Sequence, residues 1–150
     1  MTIGNEDYLF VNIQCHLDKG CGKGFPEAVN WINRIIDSYP DHMVILATHD
    51  IWESSEVRNQ IISRHDNIVL TNAGHVCREK HFIENAPGGG VSNNFVVDYQ
   101  CDKTEIMLLR FYVFKPLEDK VYFYTYSPIT NEFEVDESSQ GSFDLVQSDP

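Results

Sequence analysis

The sequence predicts an α/β fold in which parallel strands come first and an antiparallel meander follows. Up to residue 77, segments of strand character alternate with segments of helical character, which is typical of a parallel sheet covered by helices. Beyond that point, strand-like segments follow one another across short connections rich in turn residues, which favours antiparallel neighbours. Because 150 residues suffice for one core, residues 1–150 are expected to form a single domain.

Three strands and two helices are predicted in the first half of the chain. MVILAT (43–48) has the unbroken apolar character of a strand that is covered on both faces. Pro26 suits the first turn of the helix before it, and Pro40 prevents that helix from continuing. In chain order, the predicted elements are strand 7–13 (DYLFVNI), helix 26–39, strand 43–48, helix 55–65 and strand 67–72 (NIVLTN).

The second half of the chain has the pattern of strands alone. The connections NAPGGGVS, CDKT and KPLED carry turn residues, so each strand is expected to pair with the next. The end of the chain is acidic and lacks Lys and Arg, and we expect residues 136–150 to form a solvated or frayed tail. The predicted strands are REKHFIE, NNFVVDYQ, EIMLLRFYVF and KVYFYTYS.

The charge of the chain argues against two classes of partner. The formal net charge is −12, from 23 acidic and 11 basic residues. An acidic excess of this size repels the phosphate backbone of nucleic acids and the anionic surface of lipid bilayers. No apolar segment approaches the roughly 20 residues that a membrane-spanning helix needs. We therefore expect neither a nucleic-acid partner nor a membrane partner.

Two histidines follow predicted strands at the point where each strand ends. His49 comes after MVILAT, and His75 comes after NIVLTN and the small residues Ala73 and Gly74, which let the backbone turn sharply. In an open parallel sheet, ligands bind beyond the carboxyl ends of the strands. If the two strands are neighbours, both imidazoles emerge at the same edge. Because imidazole is a common ligand of zinc and iron, the pair is a candidate metal site.

Two imidazoles do not complete such a site, which requires three or four protein ligands. Additional ligands could come from Asp50, Cys77 and Asp98, close to the ends of predicted strands. An alternative makes Cys77 a nucleophile with His75 as its base, since residues two apart on an extended chain share a face. Nothing near them in the sequence resembles a third orienting group. His81 belongs to the following strand and is expected to have no role in the site.

Three more ligand-type residues lie in the Gly-rich segment after the first strand. Cys15 and Cys21 could close a small disulfide or could remain free thiols. Together with His16 they could also hold a structural zinc ion, although their spacing matches no common zinc finger or ribbon. The sequence leaves these alternatives open.

Four segments together resemble the C-terminal half of calcineurin-like metallophosphoesterases. PDHMVILATHD, RHDNIVLTNAGHVC, VVDYQ and VYFYTYSPITNEF occur in the order and approximate spacing of that family. The resemblance covers most of the chain, from about residue 26 to about residue 135. The series of motifs is more specific than any one of them.

This resemblance implies a partial metallophosphoesterase-type β-sandwich, in which two facing sheets are flanked by helices. It also implies a phosphate-ester substrate and divalent metal ions (Fe, Zn or Mn) that activate a water molecule and stabilise charge on the phosphoryl group. Carried over by position, His49 and His75 are ligands of one metal. The family motif continues as GHxH, and Cys77 occupies the position of its last His, a ligand of the other metal.

The amino-terminal motifs of the family, DxH, GD and GNH, have no counterpart in residues 1–25. We therefore expect a metallophosphoesterase-like protein that is catalytically incomplete by itself, because the carboxylate that bridges the two metals is missing. The alternative is a non-catalytic binding or assembly module derived from the same fold. In either case, an open sheet edge and an uncovered apolar face predict self-association or a complementing protein chain.

Overall fold

The protein is rich in strands. A computed structural model describes residues 1–13, 25–52, 55–101 and 105–145. Among these residues, no helix is long and apolar enough to cross a membrane. The helices are α1 (Phe25–Asp37) and α2 (Ser55–Gln60). The strands are β1 (Thr2–Ile3), β2 (Glu6–Ile13), β3 (Met43–Thr48), β4 (Ile68–Ala73), β5 (Glu79–Asn85), β6 (Val91–Val97), β7 (Leu109–Lys115), β8 (Lys120–Ser127), β9 (Glu132–Glu134) and β10 (Gln140–Asp144).

The first sheet has the strand order β1-β2-β3-β4-β6-β5. Its four central strands, β2, β3, β4 and β6, run parallel to one another. β5 and β6 form an antiparallel hairpin, and β1 is antiparallel to the start of β2. β4 and β6 are buried along most of their length, as expected for strands covered on both faces.

The second sheet is antiparallel, with the strand order β10-β8-β7 and β9 paired to the end of β8. Every second residue of β8 is buried, starting with Val121 and Phe123. This alternation is typical of a strand with one face on the core and the other toward solvent. Phe143 of β10 is also buried in this core. The two sheets therefore face one another like the layers of a sandwich.

Two hydrophobic clusters hold the layers together. The first lies where the helices cover the first sheet and includes Ile32 and Ile36 of α1 with Leu46 of β3. The second lies between the two sheets and includes Phe95 of β6 and Phe123 of β8. Burial of one such side chain contributes about 1.5–3 kcal/mol to stability. Both faces of the first sheet are therefore covered.

The strand-rich architecture is compatible with the broad prediction of an α/β fold with sandwich-like sheets, although strands predominate over helices, whereas the metallophosphoesterase-type fold stays a prediction. The helix predicted over 26–39 is α1, which ends at Asp37. The helix predicted over 55–65 is divided. α2 ends at Gln60, and a short 3₁₀ turn spans Ile62–Arg64.

One predicted pair of neighbouring strands is wrong. The sequence predicts that NNFVVDYQ pairs with EIMLLRFYVF, yet β6 and β7 lie in different sheets. β6 pairs with β4 on one side and with β5 on the other. Its continuous run of buried residues, Ser92–Val96, suits a central position in the first sheet. β7 alternates exposed and half-buried residues, which suits an edge strand that packs on one face.

The prediction for the acidic end of the chain is also corrected. A solvated or frayed tail was predicted over 136–150, but within the described residues this segment contains β10, which pairs with β8. Its acidic side chains face outward, whereas Phe143 and Leu145 are buried in the core between the sheets. The prediction failed because the two inward apolar side chains outweigh the acidic composition.

Candidate metal site

The carboxyl ends of β3 and β4 bring two histidines together. The strands are parallel neighbours, with Ala47 opposite Asn72, so both end at the same edge of the sheet. His49 follows directly after β3, and His75 lies two residues after β4. The Gly74 N–H donates a hydrogen bond to the His49 carbonyl oxygen at 3.1 Å. This bond fixes the two loops against each other.

The backbone of His75 is left-handed, with φ = 68°. This conformation costs a residue with a side chain roughly 1–2 kcal/mol, because the Cβ atom crowds the carbonyl oxygen. It reverses the chain immediately after Gly74, where the His75 ring reaches the ring of His49. Residues held in such conformations cluster at functional positions, where the surrounding structure maintains them.

The two imidazole rings are in direct contact. Nε2 of His49 and Nδ1 of His75 are 2.9 Å apart, and the ring centroids are 4.6 Å apart. One nitrogen donates a hydrogen bond to the other in this contact. Both residues are exposed, which leaves the site accessible to solutes. The separation of the two nitrogens is that of a hydrogen bond. A tetrahedral zinc ion at about 2.0–2.1 Å from each nitrogen would hold the two nitrogens about 3.3 Å apart, so the rings would need to separate by a few tenths of an ångström to share one cation.

The two carboxylates considered as further ligands take part in local turns. Asp50 is buried, and its Oδ1 accepts a hydrogen bond from the Trp52 N–H at 2.8 Å. Asp98 accepts hydrogen bonds from the backbone N–H and the side-chain amide of Gln100, both at 3.1 Å. Within the described part of the chain, neither joins the two imidazoles in a set of three clustered ligand atoms. Their role as ligands stays a prediction.

Cys77 forms a disulfide with Cys101, with 5.6 Å between the two Cα atoms. The bond ties the loop after β4 to the segment that follows β6. A disulfide sulfur carries no thiolate, so in this state Cys77 offers neither a metal ligand nor a nucleophile. A ligand role for Cys77 requires the reduced form. The alternatives for Cys15, His16 and Cys21 lie outside the described residues.

A second group of ligand-type side chains consists of Glu79, Glu134 and Asp136, whose carboxylate oxygens lie within 4.8 Å of one another. Its charge is partly compensated, because Arg110 Nη2 forms an ion pair with Glu79. Hydrogen bonds from Ser138, the side-chain hydroxyl first, hold the pKa of Asp136 below its ordinary value. A cation bound here would be repelled by the Arg110 guanidinium. The group is therefore better suited to structural support than to metal binding.

The Glu79–Arg110 pair joins the two sheets, since Glu79 begins β5 and Arg110 lies in β7. Thr125 of β8 accepts a hydrogen bond from Arg110 Nε at 2.9 Å and donates one to Glu79 at 3.1 Å. The Tyr99 hydroxyl donates to Glu79 at 3.0 Å, and burial raises the pKa of Tyr99 to about 12, which keeps that proton in place. This network was not predicted from the sequence. Its one local signal is an arginine inside the otherwise apolar segment EIMLLRFYVF.

Comparison with known proteins adds no family assignment. No protein-family model matches this chain. A search of curated proteins finds no match either.

Proposed function

We propose that this chain is the back half of a metallophosphoesterase-type domain and that His49 and His75 belong to its centre for divalent metal ions. The observation that carries the proposal is the contact of the two ring nitrogens, 2.9 Å apart, at the carboxyl edge of a parallel sheet. Ligands of open α/β sheets bind at this edge. The two facing sheets with helices on the outer side of the first sheet support the same assignment.

In the proposed centre, His49 and His75 hold one divalent ion through neutral imidazole nitrogens. A bound Fe, Zn or Mn ion would supply Lewis acidity for the hydrolysis of a phosphate ester. Among the described residues, the two imidazoles do not belong to a cluster of three ligand atoms. Two cations held close together without anionic ligands repel one another strongly. We infer that the chain by itself binds one ion weakly and does not turn over a phosphate ester.

Calorimetric titration with Zn²⁺ and with Mn²⁺ tests the metal centre. The samples are the full chain and the variants His49→Ala, His75→Ala and His42→Ala. His42 is a matched control, because it precedes β3 at the opposite end of the strand that leads to His49. We expect one weak site, which loses roughly tenfold or more in affinity in either edge variant and is unchanged in His42→Ala.

Hydrolysis of p-nitrophenyl phosphate, measured on the same metal-loaded samples, tests catalytic incompleteness. The chain alone is expected to hydrolyse no more substrate than the same metal ions without protein. Turnover with stoichiometric metal would show that the chain is a complete enzyme. Equal metal affinity in the wild type, His49→Ala and His75→Ala would exclude the imidazole pair as the metal site.

A second candidate function, a non-catalytic binding or assembly module, is favoured by the outer face of the second sheet. This face carries an apolar groove of about 370 Å³. Phe111 and Phe133 in the groove are 45% and 57% exposed. Clustered exposed apolar side chains of this kind mark interaction surfaces. The residues that line the groove are Phe111, Val113, Tyr124, Tyr126 and Phe133.

Binding of Nile red, a neutral dye that reports accessible apolar surface, tests this second candidate. The double variant Phe111→Ser/Phe133→Ser should lose most of the dye fluorescence of the wild type. Ile129→Ser is the control, since Ile129 is exposed but does not line the groove. Equal fluorescence in the double variant and the control would exclude the groove as a binding surface.

A further inference from the structure

The outer edge of β2 is only partly paired. β1 covers Glu6 and Asp7 at its start. The Tyr8 N–H donates to the Met1 carbonyl oxygen at 2.7 Å, and the Met1 ammonium donates to the Tyr8 carbonyl oxygen at 2.9 Å. No described strand pairs with residues 9–13 on the side away from β3.

The direction of the backbone groups along this edge follows from Tyr8. Its N–H and its C=O both bond to Met1 and so point away from β3. Because these directions alternate along a strand, Phe10 and Asn12 also direct their N–H and C=O groups outward, while the residues between them bond to β3. Two donors and two acceptors therefore lie along an open segment of the edge.

This segment lacks the features that protect exposed strands from pairing. Residues 9–13 read LFVNI, a β-favouring stretch without charge, Pro or Gly. The opposite edge strand of the same sheet, β5, carries the charged residues Glu79, Lys80 and Glu84. Charges of this kind discourage pairing at an edge. Phe10 is 55% exposed, so an uncovered ring lies beside the open backbone groups.

We propose that a second copy of this chain pairs with this edge, β2 against β2, in antiparallel orientation about a two-fold axis at Val11. In this register Phe10 of each copy lies opposite the partner's Asn12, and four hydrogen bonds satisfy the outward groups of both residues. A shift that set Asn12 against Tyr8 would lose half of these bonds, because the groups of Tyr8 already bond to Met1. The edge therefore favours one register.

Side chains and charge also fit a second copy. The two Phe10 rings become diagonal neighbours on one face of the joined sheet, within reach of an aromatic contact. On the other face, Leu9 lies opposite the partner's Ile13. The net charge of −12 opposes association in general, but the paired segment carries no charge. In the antiparallel orientation, the Glu6 and Asp7 carboxylates of the two copies also lie at opposite ends of the interface.

Sedimentation velocity of the full chain over a concentration series tests the proposal. The mass should rise from that of one 17.3 kDa chain to that of two. Asn12→Pro removes one outward N–H without touching a bond to β3, and Phe10→Lys places like charges at diagonal positions. Each should raise the midpoint concentration of dimerisation roughly tenfold or more. Ile83→Lys on β5 is the matched control, since Ile83 is 59% exposed on the other edge strand, and it should leave the midpoint unchanged.

Hydrogen exchange of the wild-type chain locates the interface without any variant. The amides of Phe10 and Asn12 should gain protection as the concentration rises, whereas those of Leu9 and Val11, which bond to β3, should be protected throughout. A chain that stays monomeric, or whose dimer is unaffected by both edge variants, would overturn the proposal. Exchange at Phe10 and Asn12 that is independent of concentration would do the same. A complex with a different protein at this edge would overturn the second copy as its occupant.

Discussion

His81 of β5 stacks face to face on Phe95 of β6, with ring centroids 4.3 Å apart and ring planes 3° apart. Its Nε2 lies 3.0 Å from the Asn93 side-chain oxygen, and the ring of Phe123 meets it at 5.7 Å. His81 therefore belongs to the aromatic core between the two sheets. Its neutral form is the one that suits this environment, because a buried charge without a carboxylate partner is unfavourable.

This environment predicts that stability falls as the pH drops below about 6.5. Burial lowers the pKa of His81. Burial also lowers the pKa of His65, where it outweighs the attraction of Asp37. A group with a lowered folded pKa binds its proton more readily in the unfolded chain. Its contribution is therefore complete above the unfolded pKa and is lost as the pH falls from that value through the folded pKa. Urea unfolding at about pH 7.5, 6.5 and 5.5 measures the change.

His81→Phe separates this effect from other titrations in the same pH range. The variant keeps an aromatic ring beside Phe95 but has no group to protonate, so its stability should fall less steeply with pH than that of the wild type. His42→Ala, outside the aromatic core, should keep the wild-type slope. A slope in His81→Phe equal to that of the wild type would contradict the prediction.

The buried ion pair between Arg110 and Glu79 predicts a large loss of stability when one partner is removed. The two side chains are only 4% and 11% exposed, so solvent screens the remaining charge poorly. Arg110→Met should lower the free energy of unfolding by about 3–5 kcal/mol, because it leaves the Glu79 carboxylate buried without its cation. Equilibrium unfolding in urea is the measurement.

A double variant and a surface control sharpen this test. Arg110→Met combined with Glu79→Leu should be more stable than either single variant, because no unpaired charge remains. Lys115→Ala breaks an ion pair that is open to solvent, with Glu118, and should leave the stability unchanged. If the double variant were as unstable as Arg110→Met, packing and not the lone charge would explain the loss.

The parts of this fold that were predicted from the sequence have local signals. Pro26 lies in the first turn of α1, Pro40 follows its end, and the apolar run MVILAT is β3. The meeting of His49 and His75 was predictable for a related reason. Parallel neighbours end at one edge, so two residues that follow such strands come together there.

The missed features depend on contacts between residues that are distant in the sequence. β6 lies between β4 and β5, a central position that suits its burial on both faces. The turn residues around it do not indicate which of the two sheets it joins. The disulfide joins Cys77 to Cys101 across 24 positions, and spacing does not determine connectivity. The ion pair of Glu79 and Arg110 spans 31 positions. Such pairings emerge only when the sheets are assembled.

The disulfide between Cys77 and Cys101 predicts a loss of stability on reduction. The bond closes a loop with a sequence separation of 24. A loop of this size restricts the unfolded chain enough to contribute about 3 kcal/mol. Cys101→Ser should lower the free energy of unfolding by about this amount. With Cys15→Ser and Cys21→Ser introduced into both chains, the reduced protein should match the Cys101→Ser variant, and a dithiol reductant should leave that variant unchanged. Equal stability of oxidised and reduced wild type would count against a structural role of the bond.

The core between the sheets predicts a sharp contrast between two phenylalanines. Phe95 is fully buried, and its ring lies 4.8 Å from that of Phe123 and 5.3 Å from that of Tyr112. Phe95→Ala should lower the free energy of unfolding by about 3–5 kcal/mol, because the lost contacts leave a cavity that the rigid sheets cannot close. Phe133→Ala removes the same phenyl ring from a position that is 57% exposed. It should lower the free energy of unfolding by less than about 1 kcal/mol. Urea unfolding of both variants measures the contrast. Similar losses in the two variants would mean that the outer face of the second sheet is covered in solution, as an occupied binding groove would be.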